Sequence, residues 1–140
     1  MARRIAEEEG QETTRGVTFT FDTGMLIALE RRKQRAVQAL RAIVRRDIVP
    51  IVPAVVYVEW WRGRTDAREE ILEIVEIEQM PRALCRAAGQ ALVAVRDATL
   101  VDAVVMASAS LRGGGIVYTS DPDDLLSLQR HFPTVGIIAI

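Results

Sequence analysis

The stretch GGGIVYTSDPDDLL, Gly113 to Leu126, sets the fold class. Three glycines make a turn, an unbroken apolar run (Ile116 to Thr119) reads as a strand, and Pro122 opens a helix to about Arg130. A strand that is apolar throughout, rather than alternating, belongs to a sheet covered on both faces. Between strand and helix stand Asp121, Asp123 and Asp124, three carboxylates in four positions. Like charges so close must be hydrated, neutralised or bound to a cation. Helix-capping and dipole chemistry account for Asp123 and fit Asp121 as well, but Asp121 also ends a strand.

The same grammar extends outward in both directions. VTFTF (Val17 to Phe21) reads as a strand, followed by helical spacing from Met25 to Ile43 with a break near Lys33. Asp47 to Val52 is a strand made imperfect by Pro50, and Pro53 opens a helix that Gly63 closes. Asp66 to Val75 is a further helix candidate, and Val75 to Met80 a short strand. Pro81 to about Val95 and Thr99 to Leu111 are helices, and Gly136 to Ile140 is a last strand. Strands alternating with helices predict an α/β fold, three layers α/β/α around a mainly parallel sheet of four to five strands. Residues 1–16 read as a polar tail and residues 17–140 as one domain.

Composition narrows the class. The 140 residues are 49% apolar and 26% charged with a net charge of -1, as in soluble globular proteins. No apolar run reaches membrane-spanning length, and the N-terminus lacks the apolar segment of a signal peptide. Cys85 is the only cysteine, which excludes an internal disulfide and a cysteine zinc site and suits a reducing, cytoplasmic setting. No phosphate-binding glycine loop and no GxSxG motif occur. His131 is the only histidine and reads as a helix C-terminal partner. A receiver domain would need a late lysine, and Lys33 is the only lysine; a haloacid-dehalogenase-type phosphatase would need Asp where Gly24 stands.

Further acids repeat the pattern. Asp22 closes the first strand and precedes a helix, which makes it a cap or a ligand. Asp102 follows Thr99 at capping-box spacing yet is flanked by Leu100, Val101, Val104 and Val105. Glu59 lies inside the apolar AVVYVEWW, where an ion pair with Arg62 competes with a buried or metal-bound role. In such sheets ligands bind beyond the carboxyl ends of the strands. Carboxylates at this density suit hard cations such as Mg²⁺ or Mn²⁺.

The ordered segments FDTGMLIALE, VPAVVYVEWWRG, DATLVDAVVMASASLRGGG and IVYTSDPDDL resemble the PIN-domain ribonucleases, and more narrowly the VapC-type toxins of toxin–antitoxin pairs. The resemblance implies an acidic pocket of Asp22, Glu59, Asp102 and Asp121, joined by Asp124 at a position acidic in some members, with a hydroxyl from Thr119 or Ser120. It further implies Mg²⁺-dependent cleavage of RNA phosphodiesters, with Mn²⁺ able to substitute, a cognate antitoxin and a homodimer. The alternative is a catalytically silent module whose acidic pocket receives an Arg of a partner. The segment Arg31 to Arg46 holds seven basic residues and no acid. Within it Arg31, Arg32 and Arg35 read either as a solvated helix face or as contacts to RNA phosphates. The paired Trp60 and Trp61 depart from the family pattern. Core packing, for at least one of them, a narrowed pocket mouth, base stacking and a dimer or antitoxin groove stay open for them.

Overall fold

A computed structural model describes residues 17–140; the polar tail expected over residues 1–16 lies outside the described residues. Five short strands form one sheet: β1 (Phe19–Phe21), β2 (Ile51–Pro53), β3 (Glu76–Glu78), β4 (Ile116–Thr119) and β5 (Gly136–Ala139). Their order is β3-β2-β1-β4-β5, and every pairing is parallel. The α/β/α architecture expected from the sequence is therefore present. After β1 the chain builds outward through β2 and β3, then returns to add β4 on the other side of β1. The crevice above β1 and β4 is thus the topological switch point, where ligands of such sheets bind.

Seven helices among the described residues complete the layers: α1 (Thr23–Glu30), α2 (Gln34–Arg45), α3 (Ala54–Trp61), a 3₁₀ turn (Glu69–Ile74), α4 (Arg82–Ala94), α5 (Leu100–Leu111) and α6 (Asp123–Gln129). β1 is buried throughout, its polar Thr20 included, while β4 alternates between buried and half-buried positions. The central helix α5 buries every residue from Ala103 to Ala109 and packs across β1, β2 and β4. With Phe21, Met25, Leu26, Val56, Val117, Leu125 and Leu128 it makes one core, each large side chain contributing roughly 1.5–3 kcal/mol by leaving water.

The break expected near Lys33 is present: α1 and α2 are separate helices, because Arg32 adopts a left-handed conformation (φ 56°) and the Lys33 amide turns back to the Ala28 carbonyl. One expectation is corrected. The segment Asp66 to Val75 forms only the 3₁₀ turn and buries no residue fully, so no apolar face holds a longer helix there. The triple-glycine turn forms as expected, with Gly113 and Gly114 both in the left-handed region that ends α5.

Candidate functional site

Each acid reaches the crevice through a local rule. Asp22 follows β1 directly and caps α1, its Oδ1 accepting from the Met25 amide at 2.9 Å. Asp102 sits in the first turn of α5, where its amide donates to the Thr99 hydroxyl at 3.1 Å. This is half of the expected capping box; the Asp102 carboxylate is also steadied by the Thr99 hydroxyl and lines the crevice. Asp121 follows β4, and its amide donates to Thr119 Oγ1 at 2.9 Å. Its side chain does not cap α6, whose N-cap is Pro122 with no side-chain acceptor. Glu59 does not pair with Arg62; it accepts the hydroxyl proton of Thr23 across the α1–α3 contact.

These residues line one cavity of about 240 Å³, whose walls include Asp22, Glu59, Asp102, Asp121 and Asp124 and no basic side chain. Ser120 supplies a hydroxyl to the wall, together with Thr23 and Thr99. Thr119 is buried behind it, and Asp123 is not part of the lining. Gly24 is the wall's tight point: a β-carbon there would stand 3.1 Å from Ser120 Cβ and 3.3 Å from its amide nitrogen. Glycine at that position carries a signal that sequence spacing could not convert into a contact.

The electrostatics are those of crowded anions. Burial pushes the Asp22 carboxyl up to about 6, against the pull of the Thr119 hydroxyl and the Met25 amide, with Asp102 and Glu59 adding repulsion. Burial likewise raises Asp102, against the pull of the Thr99 hydroxyl, with Asp124, Glu59 and Asp121 repelling it. Asp124 is raised by its hydrogen bond with Asp121 and then by that neighbour's charge. Five carboxylates without a countercharge fit a divalent cation by donor type. Among the described residues no three Asp, Glu, His or Cys side chains stand tightly enough to grip one ion as placed. An ion would therefore draw the carboxylates inward. A larger depression of about 470 Å³ involves Arg96, Arg130 and His131 instead and shares no residue with the acids.

The basic residues singled out from sequence do not act together. Arg31 lines a hollow beside the acid pocket, Arg35 lines another with Tyr118 and Ile140, and Arg32 is exposed in the turn. Of the two tryptophans, Trp60 is core, 2% exposed, while Trp61 is 40% exposed. Sequence reasoning missed Glu30, which accepts from Trp60 Nε1, both ways from Arg64, and from the Arg68 amide.

The PIN-domain family model matches residues 19–130, and the chain belongs to that family. It is similar in fold to a chain of VapBC2 from Rickettsia felis bound to a DNA fragment from their promoter, with a TM-score of 0.72 and 10% identity over 89% of this chain and 99% of that one. A chain of a toxin–antitoxin complex from Klebsiella pneumoniae aligns with a TM-score of 0.67 and 19% identity, over 87% and 97% of the two chains. No curated protein matches the chain.

Proposed function

We propose that this chain is a metal-dependent endoribonuclease, the toxin of a toxin–antitoxin pair. The observation that carries the reading is the convergence of five carboxylates, with no basic partner, at the switch point of a parallel sheet. Family membership supports nuclease chemistry, and the likeness in fold to chains from toxin–antitoxin complexes supports an antitoxin partner. A homodimer and a cytoplasmic location belong to the same proposal.

Asp22, Asp102 and Asp121 are the residues that would hold Mg²⁺ or Mn²⁺, with Glu59 and Asp124 beside them. When bound, the cation supplies charge neutralisation and Lewis-acid polarisation of the phosphodiester. Glu59 Oε1 is held by Thr23, which leaves Oε2 to accept a proton from the water that attacks phosphorus as the P–O bond to the leaving oxygen breaks, that oxygen then taking up a proton. The Ser120 hydroxyl donates to a phosphate oxygen at the mouth. Asp22 sits at the floor, fixed by its cap. Asp22→Asn and Asp102→Asn should each abolish Mg²⁺-dependent cleavage across a panel of RNAs while circular dichroism shows the fold intact. Undiminished cleavage by either variant sinks the reading, and a wild-type chain that neither binds metal nor cuts RNA returns the pocket to a partner's arginine.

A further inference from the structure

Two hollows adjoin the acid pocket in series. The first, about 140 Å³, shares Thr23 and Glu59 with it and adds Arg31, Arg62 and Arg64. The second, about 410 Å³, shares Arg62 with the first and is walled by Tyr57, Val58 and Trp61. The order along the surface is therefore acidic, basic, then aromatic, each step joined to the next by a common residue.

The basic step has charge to spare. Arg64 is committed: it lies 3.1 Å from both Glu30 carboxylate oxygens, and its guanidinium sits 5.0 Å from the Trp60 ring centroid. Arg31 and Arg62 are exposed and enter no ion pair among the described residues. Arg62 is also held at a defined place, in the left-handed conformation (φ 32°, ψ 46°) that ends α3.

The aromatic step is tethered at two points. Tyr57 and Trp61 are one turn apart on α3 and face the same way. Both donate to a single carboxylate, Tyr57 to Glu69 Oε1 at 3.1 Å and Trp61 Nε1 to Glu69 Oε2 at 3.2 Å. Their polar edges are tied down, while Trp61 at 40% and Val58 at 68% stay open to solvent. A fixed ring surface beside a cation suits a base stacked next to its own phosphate.

On the ribonuclease reading above, we propose that these hollows seat one unpaired nucleotide adjacent to the cleaved bond, Arg31 and Arg62 holding its phosphate and Trp61, with Tyr57, carrying its base. Phosphate and base alternate along a single strand as charge and aromatic surface alternate here. In a duplex the base faces are covered by their neighbours, so this seat selects strandedness. Stacking accepts every base, so it does not select sequence.

The test is fluorescence anisotropy of a short, labelled, unstructured RNA with the full chain in EDTA, where binding is read without cleavage. Arg31→Ala with Arg62→Ala should flatten the plot of log affinity against log salt by ~0.7, the contribution of one single-strand phosphate. Trp61→Ala should weaken binding roughly five- to hundredfold with the salt slope unchanged, and Trp61→Phe should keep most of it. Arg96→Ala with Arg130→Ala, in the separate depression, should change neither. Unaltered slope and affinity in the first two variants, a larger loss in the Arg96–Arg130 pair, or no RNA binding by the wild type overturns the proposal. So does a Trp61→Ala chain that keeps its RNA affinity but loses self-association, because the aromatic surface is then a protein contact. If the wild type binds RNA through these residues yet cuts none, the ribonuclease reading fails and the seat stands; if it cuts with these variants silent, the reverse holds.

Discussion

Thr23 and Glu59, 36 residues apart in sequence, meet where α1 crosses α3, and the threonine hydroxyl fixes one oxygen of the carboxylate. Replacing Thr23 with Val keeps the shape and removes the donor. The half-buried carboxylate then loses its partner, at a cost of about 1–2 kcal/mol. Urea unfolding should show that loss, and Mg²⁺-dependent cleavage should fall with it. Thr23→Ser should restore both, since the hydroxyl is what matters.

Stability of the metal-free chain should fall as pH rises. Asp22 is 7% exposed, and its carboxyl is raised from 3.8 to about 6, chiefly by burial. The folded chain therefore favours the protonated form. The contribution is full below the unfolded value, fades as pH passes through about 6, and is flat above. At 1.36 kcal/mol per unit the whole change is ~3 kcal/mol. Asp102, raised in the same direction, adds to it. Unfolding in EDTA at pH ~5 and ~7.5 should show the later half of the decline, ~1.4 kcal/mol, in the wild type and a flatter profile in Asp22→Asn, whose amide keeps the cap. Adding Mg²⁺ at the higher pH should stabilise the wild type and not the variant.

Gly24 and Ser120 should be coupled. A methyl at position 24 presses on Ser120 Cβ at 3.1 Å and its amide at 3.3 Å. The serine hydroxyl can rotate away, but the backbone leading to Asp121 cannot. Gly24→Ala should cost about 1–3 kcal/mol and displace the Asp121 turn, lowering cleavage. Ser120→Gly in the same chain should recover most of the stability, and the double-mutant cycle should give a coupling of about 1 kcal/mol. Additive effects would mean that the wall is softer than the contacts indicate.

Glu30 holds the loop after α3. Its side chain is 11% exposed and takes hydrogen bonds from Trp60, Arg64 and the Arg68 amide. Burial alone would raise its carboxyl, but the Arg64 hydrogen bond and the other donors outweigh burial and hold it below the usual range. Glu30→Ala should destabilise by about 2–4 kcal/mol, because three donors lose one acceptor and Arg64 keeps only the exposed Asp66 at 3.9 Å. Proteolysis within residues 62–75 should rise in step.

The sheet was legible because its strands are short, apolar and separated by helical spans, and because Asp22 and Asp121 stand where strands hand over to helices. The pairing of Asp102 with Thr99 was legible from spacing alone. Contacts that join distant segments were not. The partner of Glu59 is Thr23 rather than the nearby Arg62, since the neighbour across the α1–α3 contact is closer than the one a turn away. The break near Lys33 was legible from spacing, but the left-handed Arg32 that makes it was not, since no residue preference announces it. The basic run looked continuous on paper, but that break and the turn of α2 send Arg31 and Arg35 to different hollows.

The strand order has a consequence in time. Phe19 pairs with Ile116 and Phe21 with Tyr118, so the two acids that follow these strands, Asp22 and Asp121, come from widely separated stretches of the chain. At ordinary elongation rates the second is made roughly 5–20 s after the first. A growing polypeptide cannot hold a half-built acid pocket worth the name, since its floor and its opposite wall meet only when β4 slots beside β1. The pocket is therefore complete only once residues past Asp121 have been made and folded back beside β1.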